Sequence, residues 1–333
     1  MRIQYGEIKS TRSTILQSKG VEESSANHIA TVITESSTDG VYSHGLNRFT
    51  SIIENIEAGI IDVHASPEVV SSFGALEVIE GNLGMGIANA SYSMERAITL
   101  AKTHGIGCVS LRNTNHWLRG ATYGLQAAKA GVIGICFTNT CPNMPAWGAL
   151  DSRLGNNPMI IAIPNGKRGI VLDMAMSQYS YGKLSDLASK DQKLSHYGGY
   201  DTDGNLSTEP SDIFSRGRVL PIGMWKGSGL SLMLDLLATI LSGGDSTKGI
   251  GEKSSEYGVS QVFIAIDPTK NNTYESVTRS IEETIDYIKN STTLDEDTTI
   301  YYPGEQSEKR REDNLKHGIL VSEDIWLEII KQL

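Results

Sequence analysis

Apolar residues recur at helical spacing through the N-terminal part of the chain. Within residues 22–37 they stand at Ala26, Ile29, Val32 and Ile33, which places them on one face of a helix. Residues 5–19 and 49–56 show similar spacing, and glycines separate the three segments. The pattern predicts a helical module at the N-terminus.

From residue 67 onward, short apolar runs alternate with further helical patterns. Strands are predicted over residues 68–72, 76–80, 106–111, 132–138, 159–164, 170–174 and 260–267. Helices are predicted over residues 87–104, 120–129, 227–241, 274–289 and 323–332. This alternation of near-continuous apolar strands with helices indicates an α/β fold whose sheet is covered on both faces.

Three segments have a less clear pattern of apolar residues, and two of them allow more than one interpretation. Residues 181–218 are polar and rich in glycine, and Asp201-Thr-Asp-Gly-Asn205 is predicted to be an exposed turn because a calcium loop would need a glutamate at its twelfth position. Residues 307–316 form a charged segment with no predicted element. Residues 230–241 are too short for a membrane span and contain Asp235, so they are predicted to be a buried helix.

The change of pattern near residue 75 suggests a division into two parts. Residues 1–75 would form the helical module, joined by residues 300–333 from the other end of the chain. Residues 76–299 would form the α/β domain.

Composition narrows the classes of partner. The 333 residues include 39% hydrophobic and 20% charged side chains, which is typical of a globular protein. A formal net charge of −10 argues against nucleic acid or an anionic membrane surface as the main partner. Cys108, Cys136 and Cys141 have no spacing typical of disulfides or zinc, and no apolar signal segment opens the chain, so a reducing cytoplasm is expected.

The most suggestive polar stretch covers residues 38–49, between two predicted helices. It contains Asp39, His44 and Arg48 among glycines, in a tight turn that leads into a helix whose first turn holds Arg48. A histidine exchanges protons near neutral pH, and an arginine can bind a carboxylate with two parallel hydrogen bonds. The pair suits a small anionic substrate, although a single histidine also suits a purely structural hydrogen bond.

A second polar cluster follows the strand predicted over residues 106–111. Asn115, His116 and Arg119 lie where the loops of α/β sheets usually bind ligands. A helix N-cap with scattered surface charge is the alternative for this stretch alone. No third ligand stands at metal-binding spacing, so no metal is expected.

A third feature is Pro221-Ile-Gly-Met-Trp-Lys-Gly-Ser-Gly229, which leads into an apolar helix. Glycines at the start of a helix let backbone N–H groups approach a phosphate, and Lys226 adds positive charge. The stretch is neither a P-loop nor a GxGxxG fingerprint. Taken alone, it is weak evidence for a nicotinamide nucleotide.

Together these motifs carry a more specific resemblance, in order and across almost the whole chain. They are Val41-Tyr-Ser-His-Gly-Leu-Asn-Arg48, Asn113-Thr-Asn-His-Trp117, Gly155-Asn-Asn-Pro158, Leu172-Asp-Met174, Trp225-Lys-Gly-Ser-Gly229 and Pro303-Gly304. The set resembles the malate/L-lactate dehydrogenase family, whose fold is unrelated to the Rossmann dehydrogenases. The resemblance implies a mixed sheet flanked by helices, with a helical N-terminal and C-terminal module, in a cytoplasmic homodimer.

The resemblance also implies roles for particular residues. His44 falls on the proton donor of the family. The nicotinamide-binding residues would be Gly169, Ile170, Val171, Leu172, Asp173, Met174, Ala175, Trp225, Lys226, Gly304, Glu305 and Gln306. Glu305 replaces an expected histidine, so a backbone contact is predicted there. Arg48 would bind the substrate carboxylate, while His116 and Arg119 would contact its other oxygens.

The implied reaction is NADH-dependent reduction of a 2-keto acid, with the closest similarity to members that act on a diketo sugar acid. Other 2-keto or 2-hydroxy acids remain open, as does NADPH, whose extra phosphate would suit Lys167 or Arg168. A non-catalytic binding protein for acidic sugars is a further alternative. A hydrolase is disfavoured, because the chain has no Gly-x-Ser-x-Gly motif.

Overall fold

A seven-stranded mixed sheet forms the centre of the molecule. The computed structural model describes residues 1–166, 168–214, 218–270 and 274–333, with side chains from residue 279 onward in the last range. The strands of the sheet are β2 (Glu68–Phe73), β3 (Leu76–Glu80), β4 (Ile106–Thr114), β5 (Ile133–Thr138), β8 (Met159–Ile163), β9 (Ile170–Met174) and β12 (Val259–Ile266). Their order is β2-β3-β4-β12-β5-β8-β9, in which only β3 and β4 pair in parallel.

Helices cover both faces of this sheet. Helices α4 (Gly86–His104) and α5 (Ala121–Lys129) pack on one face, around a cluster of Trp117, Tyr123 and Phe263. Helix α8 (Trp225–Ser242) packs on the other face. The alternation of side chains along the strands supplies both cores, since Phe263 faces one cluster and its neighbour Val262 faces the other.

The two ends of the chain share a separate hydrophobic core. Helices α1 (Tyr5–Ser18), α2 (Glu23–Thr38), α3 (Phe49–Glu57) and α12 (Glu323–Ile330) pack together, and β1 (Arg2–Ile3) pairs with β13 (Ile319–Leu320). The predicted boundary near residue 75 falls in the turn between β2 and β3, which both belong to the central sheet. The two-part division of the chain stays a prediction.

The remaining elements are short or peripheral. They are β6 (Met144–Pro145), β7 (Ser152–Leu154), α6 (Tyr181–Ser189), β10 (Gly199–Tyr200), β11 (Leu206–Ser207), α7 (Pro210–Phe214), α9 (Thr247–Gly251), α10 (Tyr274–Lys289) and α11 (Glu305–His317). The polar stretch from residue 181 therefore contains four elements that its pattern did not predict. The exposed turn is confirmed, since the Asp201 carboxylate accepts the backbone N–H groups of Asp203 and Asn205.

Helix α11 corrects the interpretation of the charged segment at residues 307–316. Its sequence offers too few apolar positions to show a helical stripe. The charges themselves favour a helix, because Glu305 and Glu308 lie in the first turn while Lys316 and His317 lie in the last. The buried side chain of Asn314 also donates to the Thr38 carbonyl at 2.9 Å, which fixes the helix against the end of α2.

Helix α8 corrects the prediction of a buried helix. Its inner face consists mainly of small or polar residues, including Ser231, Asp235 and Ser242. Its outer face carries large apolar side chains that are each at least a third exposed: Trp225, Leu230, Leu232, Met233, Leu236, Leu237, Ile240 and Leu241. We call this outer face the α8 apolar face. In the parts of the chain that are described, no helix is long and apolar enough to cross a membrane.

Candidate active site

The loop that carries His44 and Arg48 is two successive 3₁₀ turns between α2 and α3. Tyr42–His44 forms the first turn and Leu46–Arg48 the second, so Arg48 precedes α3 and does not lie in its first turn as predicted. Gly45 is required between them, because a β-carbon there would come within 2.2 Å of the Ser37 hydroxyl oxygen. That hydroxyl instead accepts the Leu46 backbone N–H, which fastens the loop to α2.

The structure brings the two predicted histidines together. The rings of His44 and His116 stack with their centroids 6.1 Å apart. The Leu118 backbone N–H donates to Nδ1 of His116 at 2.9 Å, so this nitrogen carries no proton. The neutral His116 ring is therefore a donor through Nε2–H.

The surrounding charges act differently on the two rings. The pKa of His116 is lowered to about 4, chiefly by burial, with Glu256 raising it and Arg48 and His44 lowering it. Burial also lowers the pKa of His44, where Asp173 opposes the effect and the arginines at positions 48 and 119 add to it. His44 is thus the ring that has a carboxylate on strand β9 to stabilise its protonated form.

Arg48 is exposed and free to bind an anion. In the described part of the chain no carboxylate forms an ion pair with its guanidinium group. Its charge nevertheless acts on both His44 and His116. A carboxylate held by Arg48 would therefore lie beside the two rings.

Arg119 has a different environment from the one expected for a substrate ligand. It is buried, and its guanidinium donates to the carboxylate of Asp39. The predicted substrate contact of Arg119 stays a prediction, and the structure adds a structural partner 80 residues away in sequence.

Three arginines surround the buried carboxylate of Asp39. Besides Arg119, Arg168 donates to both carboxylate oxygens at 2.8 and 2.6 Å, and Arg311 donates to one of them at 3.1 Å. Burial alone would raise the pKa of Asp39, but Arg119 and Arg168 outweigh it and hold that pKa below its usual range. The cluster joins α2 to three distant parts of the chain, directly before the His44 loop.

The three segments predicted to bind the nucleotide lie around the edge strand β9. The Val171 backbone N–H in β9 donates to the Pro303 carbonyl, and the Ile222 N–H donates to the Met176 carbonyl just after β9. The first contact brings residues 303–306 to the strand. The second brings the start of α8, with Trp225 and Lys226, to its end.

A cavity of about 340 Å³ opens beside this strand, and its lining fits part of a nucleotide. Leu172, Gly304, Gln306 and Arg310 contribute to it, together with two tyrosines. Gly304 adopts φ +95, and a β-carbon there would crowd Val171 at 3.1 Å, so glycine keeps the backbone close to the strand. The contacts of all three segments with a cofactor stay predictions.

Glu305 is not among the residues that line this cavity, and its carboxylate binds protein groups. It is buried and accepts from Lys289 at 2.5 Å and from the Tyr302 backbone N–H at 3.3 Å. The side chain is therefore used within the protein, which agrees with an expectation of a backbone contact there.

Two acidic residues act on the histidines, although neither was predicted to do so. Asp173 was expected only as part of a nucleotide-binding segment, yet it also acts on His44 and accepts the Ala121 backbone N–H at 2.8 Å. Glu256 belongs to a loop that precedes β12 and acts on His116. Neither neighbour is within 50 residues of its histidine in sequence, so spacing could not reveal the contact.

The charged clusters do not resemble a metal site. Over residues 1–166, 168–214, 218–270 and 279–333, whose side chains are described, no group of three or more His, Cys, Asp or Glu side chains is arranged to hold a metal ion. All three cysteines are free.

Comparison with known proteins gives consistent matches over the whole chain. A family model described as malate/L-lactate dehydrogenase matches residues 3–330. The 2,3-diketo-L-gulonate reductases of Salmonella typhimurium and Salmonella paratyphi C are each 42% identical over 330 residues, and the alignments cover 99% of both chains.

Solved structures show the same similarity in three dimensions. The sulfolactate dehydrogenase from Methanocaldococcus jannaschii superposes with a TM-score of 0.90 at 31% identity, over 100% of this chain and 96% of that one. The malate dehydrogenase from Pyrococcus horikoshii has a TM-score of 0.90 at 32% identity, over 100% and 94% of the two chains.

The Asp39 cluster generates a prediction about stability. Asp39→Asn removes the charge that three arginines share, and should lower the free energy of unfolding in urea by about 3–5 kcal/mol at neutral pH. Because the folded pKa of Asp39 is depressed, its contribution in the wild type is present above its unfolded pKa and is lost as the pH falls through the folded one.

Asp313→Asn is the matched control. Asp313 pairs with Arg2 at 2.8 Å, but both side chains are at least 40% exposed and screened by water, so a much smaller loss is expected than for Asp39→Asn. Equal losses in the two variants would show that the arginines do not depend on Asp39.

Proposed function

Because the chain belongs to the malate/L-lactate dehydrogenase family and is an oxidoreductase, we propose that it reduces 2,3-diketo-L-gulonate to 3-dehydro-L-gulonate with NADH. The family membership and the fold expected from the motifs are confirmed. The observation that carries the proposed reaction is the stacking of His44 on His116 beside the unpaired Arg48. The 42% identity to reductases of this name supports the choice of substrate.

Arg48 binds the carboxylate of the substrate in this proposal. An exposed guanidinium without a protein counterion can form two parallel hydrogen bonds to a carboxylate, which fixes the adjoining keto carbon. His116 then offers Nε2–H to a substrate oxygen. Because Leu118 holds the other nitrogen of this ring, the donor keeps its orientation before substrate arrives.

His44 delivers the proton. NADH, when bound, supplies the hydride for the 2-keto carbon. As negative charge gathers on the keto oxygen, the protonated ring of His44 stabilises it and transfers its proton to it. Asp173 favours the protonated ring by its charge, and the Ser43 hydroxyl lies 3.0 Å from Nδ1, which leaves Nε2 for the substrate.

NADH is favoured over NADPH by the positions of the basic residues. Lys167 lies outside the described residues. Arg168, the other candidate for an extra phosphate, has both terminal nitrogens on Asp39. Arg310 lines the cavity beside β9 and forms no ion pair with a described residue, so NADPH is retained as the second candidate.

A related substrate is the second candidate function. Sulfolactate and malate dehydrogenases share the fold at 31% and 32% identity, so a dehydrogenase for another 2-hydroxy or 2-keto acid fits the same His44 and Arg48 chemistry. A comparison of kcat/KM across these acids separates the two.

We also propose that the protein is a homodimer that works in the cytoplasm. The α8 apolar face leaves eight large apolar side chains in contact with water, although helices usually bury such residues. A second copy that covers this face would remove them from water. Three free cysteines suit a reducing compartment.

His44→Asn tests the proposed reaction. Purified wild-type protein should oxidise NADH in the presence of 2,3-diketo-L-gulonate, followed by absorbance. The variant should lose about 10²- to 10⁴-fold in kcat, because asparagine cannot donate a proton as an acid, while nucleotide binding should remain. His196→Asn, on an exposed loop, is the control and should keep full activity. Wild-type protein without activity on any 2-keto acid would contradict the proposal.

The pH dependence of the reduction should report on His44. Its protonated ring is the active form, so kcat/KM for the keto acid should fall as the pH rises through a pKa that burial has lowered. Asp173→Asn removes the charge that raises this pKa, so the fall should begin at lower pH. Asp203→Asn, in the exposed turn, is the control and should leave the pH profile unchanged. An unchanged profile in Asp173→Asn would show that Asp173 does not act on the pKa of the proton donor.

Assembly can be measured by light scattering during size-exclusion chromatography. The wild type should have twice the chain mass of 36.1 kDa. Ile240 is 74% exposed on the α8 apolar face, and Ile240→Glu should raise the dimer dissociation constant about 100-fold or more, because each copy would lose roughly 1.5–3 kcal/mol of apolar burial. Leu294→Glu, at a 99% exposed leucine elsewhere, should leave the dimer intact.

A further inference from the structure

A second and larger cavity lies next to the proposed site. Its volume is about 620 Å³, and its lining includes Cys141, Arg153, Lys248, Lys253 and Glu256. Most of the lining side chains are charged or polar, so the cavity suits a hydrophilic ligand. It is distinct from the cavity beside β9, with which it shares no lining residue.

Glu256 is the one charged residue of this lining that forms no ion pair among the described residues. Each basic residue of the lining already pairs with a carboxylate: Arg153 with Asp151 at 2.6 Å, Lys248 with Glu252 at 3.5 Å and Lys253 with Asp245 at 2.7 Å. No described lysine, arginine or histidine forms an ion pair with Glu256.

The Glu256 carboxylate is partly buried and held in place. The Cys141 backbone N–H donates to one of its oxygens at 2.9 Å, and the Cys141 thiol also forms a hydrogen bond with it. These neutral donors orient the carboxylate but do not neutralise it. A partly buried carboxylate without a counterion gains most from further hydrogen-bond donors.

Sheet register places this carboxylate beside the catalytic cluster. Strand β12 starts at Val259, which pairs with Thr114 in β4. Glu256 precedes Val259 by three residues and His116 follows Thr114 by two, so both leave the same end of this antiparallel pair. The charge of Glu256 accordingly acts on the His116 ring.

We propose that this cavity receives the hydroxylated end of the substrate, and that Glu256 selects for it by accepting hydrogen bonds from its hydroxyl groups. The inference rests on the proposed function and names the residue that binds each end of the substrate. The carboxylate end binds Arg48, and the polyol end points toward Glu256. The substrate class is a 2-keto acid with hydroxyl groups beyond the reacting carbons and no second negative charge.

The same carboxylate excludes dicarboxylic acids. A substrate such as oxaloacetate, once held by Arg48, would bring its second carboxylate toward Glu256, and like charges at close range in a partly buried cavity repel strongly. Hydroxyl groups instead donate charge-assisted hydrogen bonds, which are stronger than neutral ones. One residue thereby favours a sugar acid and rejects a diacid.

Glu256→Gln tests the inference with three substrates that share the reaction but differ in the tail. The hydroxylated substrate is 2,3-diketo-L-gulonate, 2-oxohexanoate has the same number of carbons without hydroxyls, and oxaloacetate is the diacid. In the variant, kcat/KM should fall about tenfold for the first, stay within about threefold for the second and rise about tenfold for the third. Activity on 2-oxohexanoate also shows that the variant is folded.

An equal change for all three substrates would overturn the inference, because it would mean that Glu256 acts only through His116. Glu283→Gln, at an exposed glutamate of α10, is the control and should leave all three values unchanged.

Binding of unreactive acids supplies a readout that does not need turnover. Calorimetry should show that wild-type protein binds L-gulonate more tightly than hexanoate, and that Glu256→Gln weakens only L-gulonate, by about tenfold. No preference for L-gulonate in the wild type would overturn the inference. Absence of NADH oxidation with a preserved preference would count against the proposed reaction and leave the assignment of the cavity supported.

Discussion

The arrangement of the site depends on one buried carboxylate, Asp39, and the three arginines that surround it. Arg119, Arg168 and Arg311 come from the loop after β4, the approach to β9 and helix α11. Each guanidinium is buried or half-buried and pairs with Asp39 at the end of α2, while Arg168 and Arg311 also pair with Glu35 in the last turn of that helix. The His44 loop starts immediately after this point, and its position is therefore fixed by parts of the chain far apart in sequence.

The two histidines differ in their hydrogen bonds and neighbouring charges, although they are the same type of residue. Their ring centroids are 6.1 Å apart, and the charge of Arg48 lowers the pKa of both rings. However, Nδ1 of His116 accepts a backbone N–H, whereas the charge of Asp173 raises the pKa of His44. Burial lowers both pKa values. The first ring is thereby kept as a neutral hydrogen-bond donor, and the second keeps a partner for its protonated form. In the proposed reduction, the two neighbouring imidazoles would then have different roles.

The sequence was most informative where an element buries one apolar stripe, as α2 and α4 do, and where a motif keeps its residues adjacent, as around His44. It was least informative about partners. Arg48 and Arg119 look alike in sequence, but only Arg119 meets a carboxylate, and that carboxylate is 80 residues away. The burial of helix α8 was predicted wrongly, because a count of apolar residues does not say which of them face the sheet and which face outward. Helix α11 was not predicted, because charges and tertiary contacts stabilise it and it has no apolar face.

The chain carries a formal net charge of −10, so an anionic substrate is repelled at long range and must be captured locally. In the proposed reaction Arg48 supplies that local charge, because it acts on both stacked histidines, is exposed and has no carboxylate partner in the described chain. Glu256 acts on the same His116 ring and forms no ion pair with a described residue, so the proposed site combines one unpaired positive charge with one unpaired negative charge. A molecule with an acid group at one end and hydroxyls at the other would bind such a pair of charges in one direction only. In the proposed reaction, the orientation of the substrate would thus follow from two unpaired charges.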